Sequence, residues 1–244
     1  MNRIIPSDKS VMLAADVNNF VELATLAKAT SGVFGLSSVK IGFSLGLRGT
    51  TEAVQIVRRE MGTRVQVVYD HQKAGTDIPE TGTQFVKVLL EAAVDAVILF
   101  PLAGPATQEA WTKACLSEGL PVIVGGMMTH PQFLVSEGGY IADDAPERIY
   151  RFACHLGAQH FVVPGNKIEW VRRIHGWLVE ELGKNFVLYA PGFITQGGDV
   201  SECGQAAGDK WHAIVGSAIY KKPTPEAMRE ASVTVTRQIV AAGS

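Results

Sequence analysis

With 244 residues, 47% of them hydrophobic and 19% charged, the chain carries enough apolar material for a large buried core. A formal net charge of −2, with no long Lys/Arg stripe, argues against non-specific nucleic-acid binding and for a small-molecule ligand. The three cysteines, Cys115, Cys154 and Cys203, are odd in number and far apart, which argues against a disulfide framework or zinc site and suits reduced thiols in the cytoplasm.

Met1–Ser10 is short and polar, without the basic start and apolar stretch of a secretory leader. The next informative feature is a series of short, β-branched, almost continuously apolar runs. These predict strands over 11–15, 38–41, 64–69, 96–100, 121–125, 160–163, 186–190 and 213–216. Amphipathic, helix-sized segments lie between them, at 20–29, 51–60, 84–93, 107–118, 146–156, 168–182 and 225–241. The run 92–102 is interrupted by Asp95 and is too short to span a bilayer, so no membrane association is expected.

Strands apolar on both sides are covered on both faces. Such strands alternating with helices, with no linker in mid-chain, predict one (β/α)8 TIM-barrel domain over residues 1–244. A doubly wound sheet is the alternative, but the first strand is not followed by a glycine-rich dinucleotide fingerprint.

Barrels of this type assemble their sites where the strands end. On that map Asp16 ends strand 1, Lys40 ends strand 2, and Asp70 and Lys73 follow strand 3. Thr129 and His130 follow strand 5, Pro191 and Gly192 follow strand 7, and Gly216 and Ser217 end strand 8. Charges buried at strand ends cost several kcal/mol unless they compensate one another or a ligand, about the scale expected of a desolvated ion. Asp70, Lys73 and Asp77 therefore form either a salt-bridged knot at the barrel mouth or part of an active site, and their company on one rim favours the site. Asp16 has a rival role as a cap for the next helix, which it shares with Asn18 and Asn19. Lys40, ending an apolar run, requires an anionic partner.

The segment Pro191-Gly192-Phe193-Ile194-Thr195-Gln196-Gly197-Gly198-Asp199 reads as a flexible turn or as a phosphate loop. Its glycines allow backbone N–H groups to approach an anion, Gln196 adds a side-chain donor, and the strand-8 end Val215-Gly216-Ser217 strengthens the phosphate reading. None of the histidines has metal-ligand spacing, and His130 is taken as structural.

Together these motifs resemble the orotidine 5′-monophosphate decarboxylase family. The resemblance runs through Leu13-Ala14-Ala15-Asp16, Val39-Lys40-Ile41-Gly42, Asp77-Ile78-Pro79-Glu80-Thr81, Met128-Thr129-His130-Pro131, Gln196-Gly197-Gly198-Asp199 and Ile214-Val215-Gly216. It implies a cytoplasmic, cofactor-free and metal-free barrel enzyme of pyrimidine biosynthesis that makes UMP, active as a homodimer. It further implies that Asp16 and Lys40 bind the ribose hydroxyls, Asp70 faces the substrate carboxylate, and Lys73 protonates C6. Asp77 would reach the partner's site with Ile78 and Thr81 beside it, and Thr129 would bind the pyrimidine. Pro191 and Gly197 would line the site, while Gln196 and the backbone near Gly216 would hold phosphate.

Two departures from the family pattern stand out. The usual Asp-x-Lys-x-x-Asp is lengthened to Asp70-x-x-Lys73-x-x-x-Asp77, so a bulge or a tight turn at Gly75 must restore convergence. The family's phosphate-binding arginine is replaced by Ser217, with Lys167, Lys221 and Lys222 as candidate substitutes. Two other functions follow from the same residues. One is a Mg²⁺-dependent sugar-phosphate lyase or decarboxylase of the same barrel type; the other is a non-catalytic nucleotide-phosphate-binding homologue.

Overall fold

Eight parallel strands close in sequence order into a barrel, β1 pairing with both β2 and β8. The structure is a computed structural model and describes residues 3–72, 77–192 and 200–241. The strands are β1 (Lys9–Ala14), β2 (Leu36–Ile41), β3 (Gln66–His71), β4 (Ala96–Leu99), β5 (Val122–Gly125), β6 (His160–Val162), β7 (Val187–Pro191) and β8 (Trp211–Val215). Around them lie α1 (Phe20–Thr30), α2 (Phe43–Met61), α3 (Gly82–Glu91), α4 (Pro105–Ser117), α5 (Ala145–His155), α6 (Ile168–Leu182), α7 (Val200–Ala207), α8 (Ser217–Tyr220) and α9 (Pro225–Ala241).

The continuous hydrophobicity of the strands follows from their two buried faces. Met12, Ala14, Val68, Ile98, Ile123, Val162 and Ile214 fill the barrel interior. Their neighbours Val11, Leu13, Val67, Val97, Val124, Phe161 and Val215 point outward into the layer beneath the helices. This alternation places two charged residues inside: Lys40, two residues after Ser38, and Asp70, two residues after Val68. Phe100 closes the barrel at this end. A Cβ on Gly125 would lie 2.2 Å from its ring, so the ring occupies the space that any larger residue would need.

Several boundaries differ from the sequence reading. Strand β3 continues through Asp70 to His71, and β7 includes Pro191, so both residues lie within strands instead of after them. Helix α2 begins at Phe43, eight residues before the predicted start at Thr51. Its first turns were hidden by Gly46 and Gly49, the latter in a non-helical conformation (φ 147°, ψ 98°) that kinks the helix. The short helices α7 and α8 had no predicted counterpart, because eight and four residues are too few to show a helical period. Helix α1 is capped by Asn19, whose side chain accepts from the Glu22 N–H at 2.9 Å. Asp16 is therefore not the cap.

At the opposite end of the barrel interior, Ser10 Oγ and His212 Nδ1 lie 2.8 Å apart, and Tyr189 OH lies 3.2 Å from His160 Nδ1. Burial, reinforced by His160 and Arg3, pushes the His212 pKa down to about 3. An unfolded chain takes up a proton at this histidine near pH 6.5, whereas the folded chain resists it until about pH 3. Stability is thus complete above pH 6.5 and declines as pH falls through that window. Denaturant midpoints should drop between pH 7 and pH 4.5, and a His212→Gln variant should show a shallower drop. An unchanged slope in that variant would assign the acid sensitivity elsewhere.

Candidate active site

The side chains of β1, β2 and β3 meet at one end of the barrel. Lys40 Nζ lies 2.7 Å from Asp70 Oδ2 and 3.1 Å from Asp16 Oδ1, forming a chain of two carboxylates joined by one ammonium. Lys40 and Asp70 are each only 7% exposed, whereas about half of the Asp16 side chain meets solvent. Gly42 makes this arrangement possible, since a Cβ there would sit 2.7 Å from Asp16 Oδ1. Burial acts to lower the Lys40 pKa, but the opposite charges and hydrogen bonds of Asp70 and Asp16 outweigh it. The ammonium is held above the ordinary lysine value.

With two carboxylates and one ammonium, this cluster has a formal charge of −1. Asp70 Oδ1 is also buried and finds no hydrogen-bond partner among the described residues. A buried carboxylate oxygen without a donor is costly, so the site calls for a further cation or donor beside Asp70. Lys73 is three residues away in sequence. Lys73 itself, Gln196 and Gly197 lie outside the described residues, as does the turn expected at Gly75.

The remaining rim positions are described. Asp77 and Ile78 are exposed; the Asp77 carboxylate accepts from the Ile78 N–H at 2.8 Å and makes no ion pair among the described residues. Thr81 Oγ donates to the Ile78 carbonyl at 2.8 Å. Pro191, the last residue of β7, is partly buried and is followed by Gly192 at φ 100°. Gly216 packs closely on β1, where a Cβ would come 3.2 Å from Ala14, and Ser217 opens α8. Thr129 is partly buried, and its carbonyl accepts from Asn166 Nδ2 at 3.1 Å.

Asn166 was missed by the sequence reading, although it follows the β6 run at the same strand-end position as the other rim residues. Its neighbour Lys167 already has two acceptors. The Lys167 ammonium bonds the His130 carbonyl and Glu137 Oε1, each at 3.1 Å, and thereby ties the loop after β5 to the start of α6. Those two bonds leave one N–H of the ammonium, so Lys167 stays with Lys221 and Lys222 among the candidate replacements for the missing arginine.

Comparison with known proteins agrees with this architecture. Residues 9–231 match the family described as Orotidine 5'-phosphate decarboxylase / HUMPS family. The orotidine 5'-phosphate decarboxylase of Methanosarcina barkeri is 30% identical over 231 residues, 95% of each chain. Among solved structures, the orotidine 5'-phosphate decarboxylase of Pyrococcus horikoshii superposes with a TM-score of 0.74 at 25% identity, covering 94% of this chain and 99% of that one. The Methanocaldococcus jannaschii orotidine 5'-monophosphate decarboxylase complexed with the inhibitor BMP gives a TM-score of 0.79 at 21% identity, over 96% and 99% of the two chains. A matched segment running from β1 into α9, and a relative similar over nearly its full length, place the chain in the orotidine 5'-phosphate decarboxylase / HUMPS family.

Proposed function

We propose that the chain decarboxylates orotidine 5′-monophosphate to UMP in pyrimidine biosynthesis. The observation that carries this reading is the Asp16–Lys40–Asp70 chain, with Lys40 and Asp70 buried and Asp70 Oδ1 without a hydrogen-bond partner among the described residues. The orotidine 5'-phosphate decarboxylase relatives supply the substrate.

In this reading the C6–carboxylate bond breaks, CO₂ departs, and the electron pair stays on C6 without a conjugated sink. A cation held at C6 must stabilise that pair, and Lys73 takes this role before giving C6 a proton. The resulting neutral amine regains its proton from solvent. Asp70 faces the departing carboxylate, so their repulsion is relieved as CO₂ leaves. Lys40, held between Asp70 and Asp16, keeps Asp70 oriented and presents its own edge to the ribose hydroxyls with Asp16. Thr129 bonds the pyrimidine, while Gln196, Gly197, Pro191 and the Gly216–Ser217 backbone close around the remainder of the nucleotide.

Two copies are proposed to pair through this rim, with Asp77 entering the partner's site. Support comes from the exposure of Asp77 and Ile78, and of Phe43 and Leu47 in the segment that follows β2. The buried free cysteines are consistent with a cytoplasmic setting. Among the described residues no helix is long and apolar enough to cross a membrane.

A Mg²⁺-dependent sugar-phosphate reaction requires a carboxylate pair open to the metal. Here the Lys40 ammonium sits between the two carboxylates, which favours the metal-independent reading. The test is the decline of orotidine monophosphate absorbance with purified protein, with and without EDTA. Equal rates are expected. Turnover abolished by EDTA would transfer the chain to the Mg²⁺-dependent class, and UMP binding without turnover would make it a nucleotide-binding homologue.

Ser217 leads to a separate expectation. An arginine fork gives a charge-assisted contact to phosphate worth about 1.5–3 kcal/mol, which a hydroxyl does not match. Ser217→Arg should therefore tighten UMP binding by about tenfold or more in a calorimetric titration. Unchanged affinity would show that the phosphate is held away from α8.

A further inference from the structure

We infer that Thr107 and Trp111 of α4 are positioning residues that hold Asp77 in place through its backbone. Two successive carbonyls are pinned from one helix: Thr107 Oγ donates to the Asp77 carbonyl at 2.9 Å and Trp111 Nε1 donates to the Ile78 carbonyl at 3.1 Å. Both donors belong to side chains about 4% exposed, so they are themselves held by packing, whereas the Asp77 and Ile78 side chains they aim lie outside. Holding the backbone while the carboxylate makes no ion pair among the described residues is what a group that acts on a second molecule requires.

The anchor is continuous with the strand that carries Asp70. The Trp111 ring lies 4.5 Å from Phe85, Phe85 lies 5.1 Å from His71, and His71 lies 5.3 Å from Tyr69, centroid to centroid. Tyr69 OH and His71 Nδ1 add a 2.9 Å hydrogen bond. One aromatic ladder thus fixes the chain where it leaves β3 and where it returns at Ile78. Gly82 lets the return segment approach, since a Cβ there would come 3.2 Å from the Trp111 backbone. Both described ends of the lengthened Asp70–Asp77 spacing are thus held from outside the barrel.

The inference rests on the proposed action of Asp77 in the partner's site, and a double-mutant cycle tests it. Thr107→Val keeps shape and removes one neutral donor, so kcat/KM for orotidine monophosphate should fall by about tenfold. Thr107→Ser, which retains the hydroxyl, should restore it. Asp77→Asn should lower activity by itself, and Thr107→Val should then cost no further factor, with Trp111→Phe behaving alike. Unchanged activity in Thr107→Val, or an equal loss in both backgrounds, would overturn the anchoring role and leave the proposed reaction intact. Full activity in Asp77→Asn, or a native chain without turnover, would overturn the role of Asp77 and the anchor with it.

Discussion

Replacing Lys73 by alanine is expected to lower kcat for orotidine monophosphate by about 10⁴-fold or more while leaving UMP affinity within a few-fold of the native value. The loss combines two effects that coincide in one group. A positioned proton donor contributes about 10²–10⁴-fold, and a preorganised charge at a developing anion contributes about 10²–10³-fold. UMP carries no charge at C6, so the product complex loses little when that cation is removed. Steady-state turnover and a calorimetric UMP titration on one variant preparation check both halves. Turnover within tenfold of native would refute the assignment of the proton to Lys73.

Lys40→Ala should be the second severe lesion, and it should be severe in two currencies. Asp70 is buried and Lys40 is its charge partner at 2.7 Å. Deleting one member of a buried pair costs about 3–5 kcal/mol where the remaining charge has no second partner, and less here because the Lys73 ammonium is proposed to stay beside Asp70. Activity should fall by about 10²–10³-fold as well, because the orientation of Asp70 is lost. The two effects separate in the double variant Lys40→Met/Asp70→Leu. Replacing both ions by apolar groups should recover most of the stability, read from denaturant midpoints, and none of the turnover. A single variant as stable as the native chain would mean that Asp70 is rescued by another cation and that Lys40 is not its main partner.

Much of the architecture was legible because a barrel strand is buried on both faces. Runs such as 96–100 and 121–125 therefore stand out from their amphipathic surroundings without any partner being known. The predicted limits of α6 and α9 coincide with the observed ones, since fifteen and seventeen residues display several helical periods. Helix α2 shows where that logic ends. Glycines at 46 and 49 weaken the local propensity, and only packing keeps the first turns helical.

The site was legible to a different extent. Asp16, Lys40 and Asp70 were readable as charges at apolar strand ends, and the structure brings all three within hydrogen-bond reach. Their partition into buried and half-exposed members was not readable, because it depends on Gly42 yielding space to Asp16. Asn166, Thr107 and Trp111 escaped notice for a common reason. Each acts on a backbone carbonyl about 30 or more residues away in sequence, and a carbonyl has no signature in an amino-acid string. That Lys167 also bonds Glu137 and the His130 carbonyl is a tertiary fact its charge alone does not disclose.

The proposed chemistry depends on an ammonium meeting Asp70 Oδ1, which has no partner among the described residues. A crystal structure of the chain bound to UMP measures this directly. Lys73 Nζ is expected at about 3 Å from Asp70 Oδ1 and turned toward C6 of the base. A Lys73 side chain directed into bulk solvent, with Asp70 Oδ1 bonded to some other donor, would contradict it.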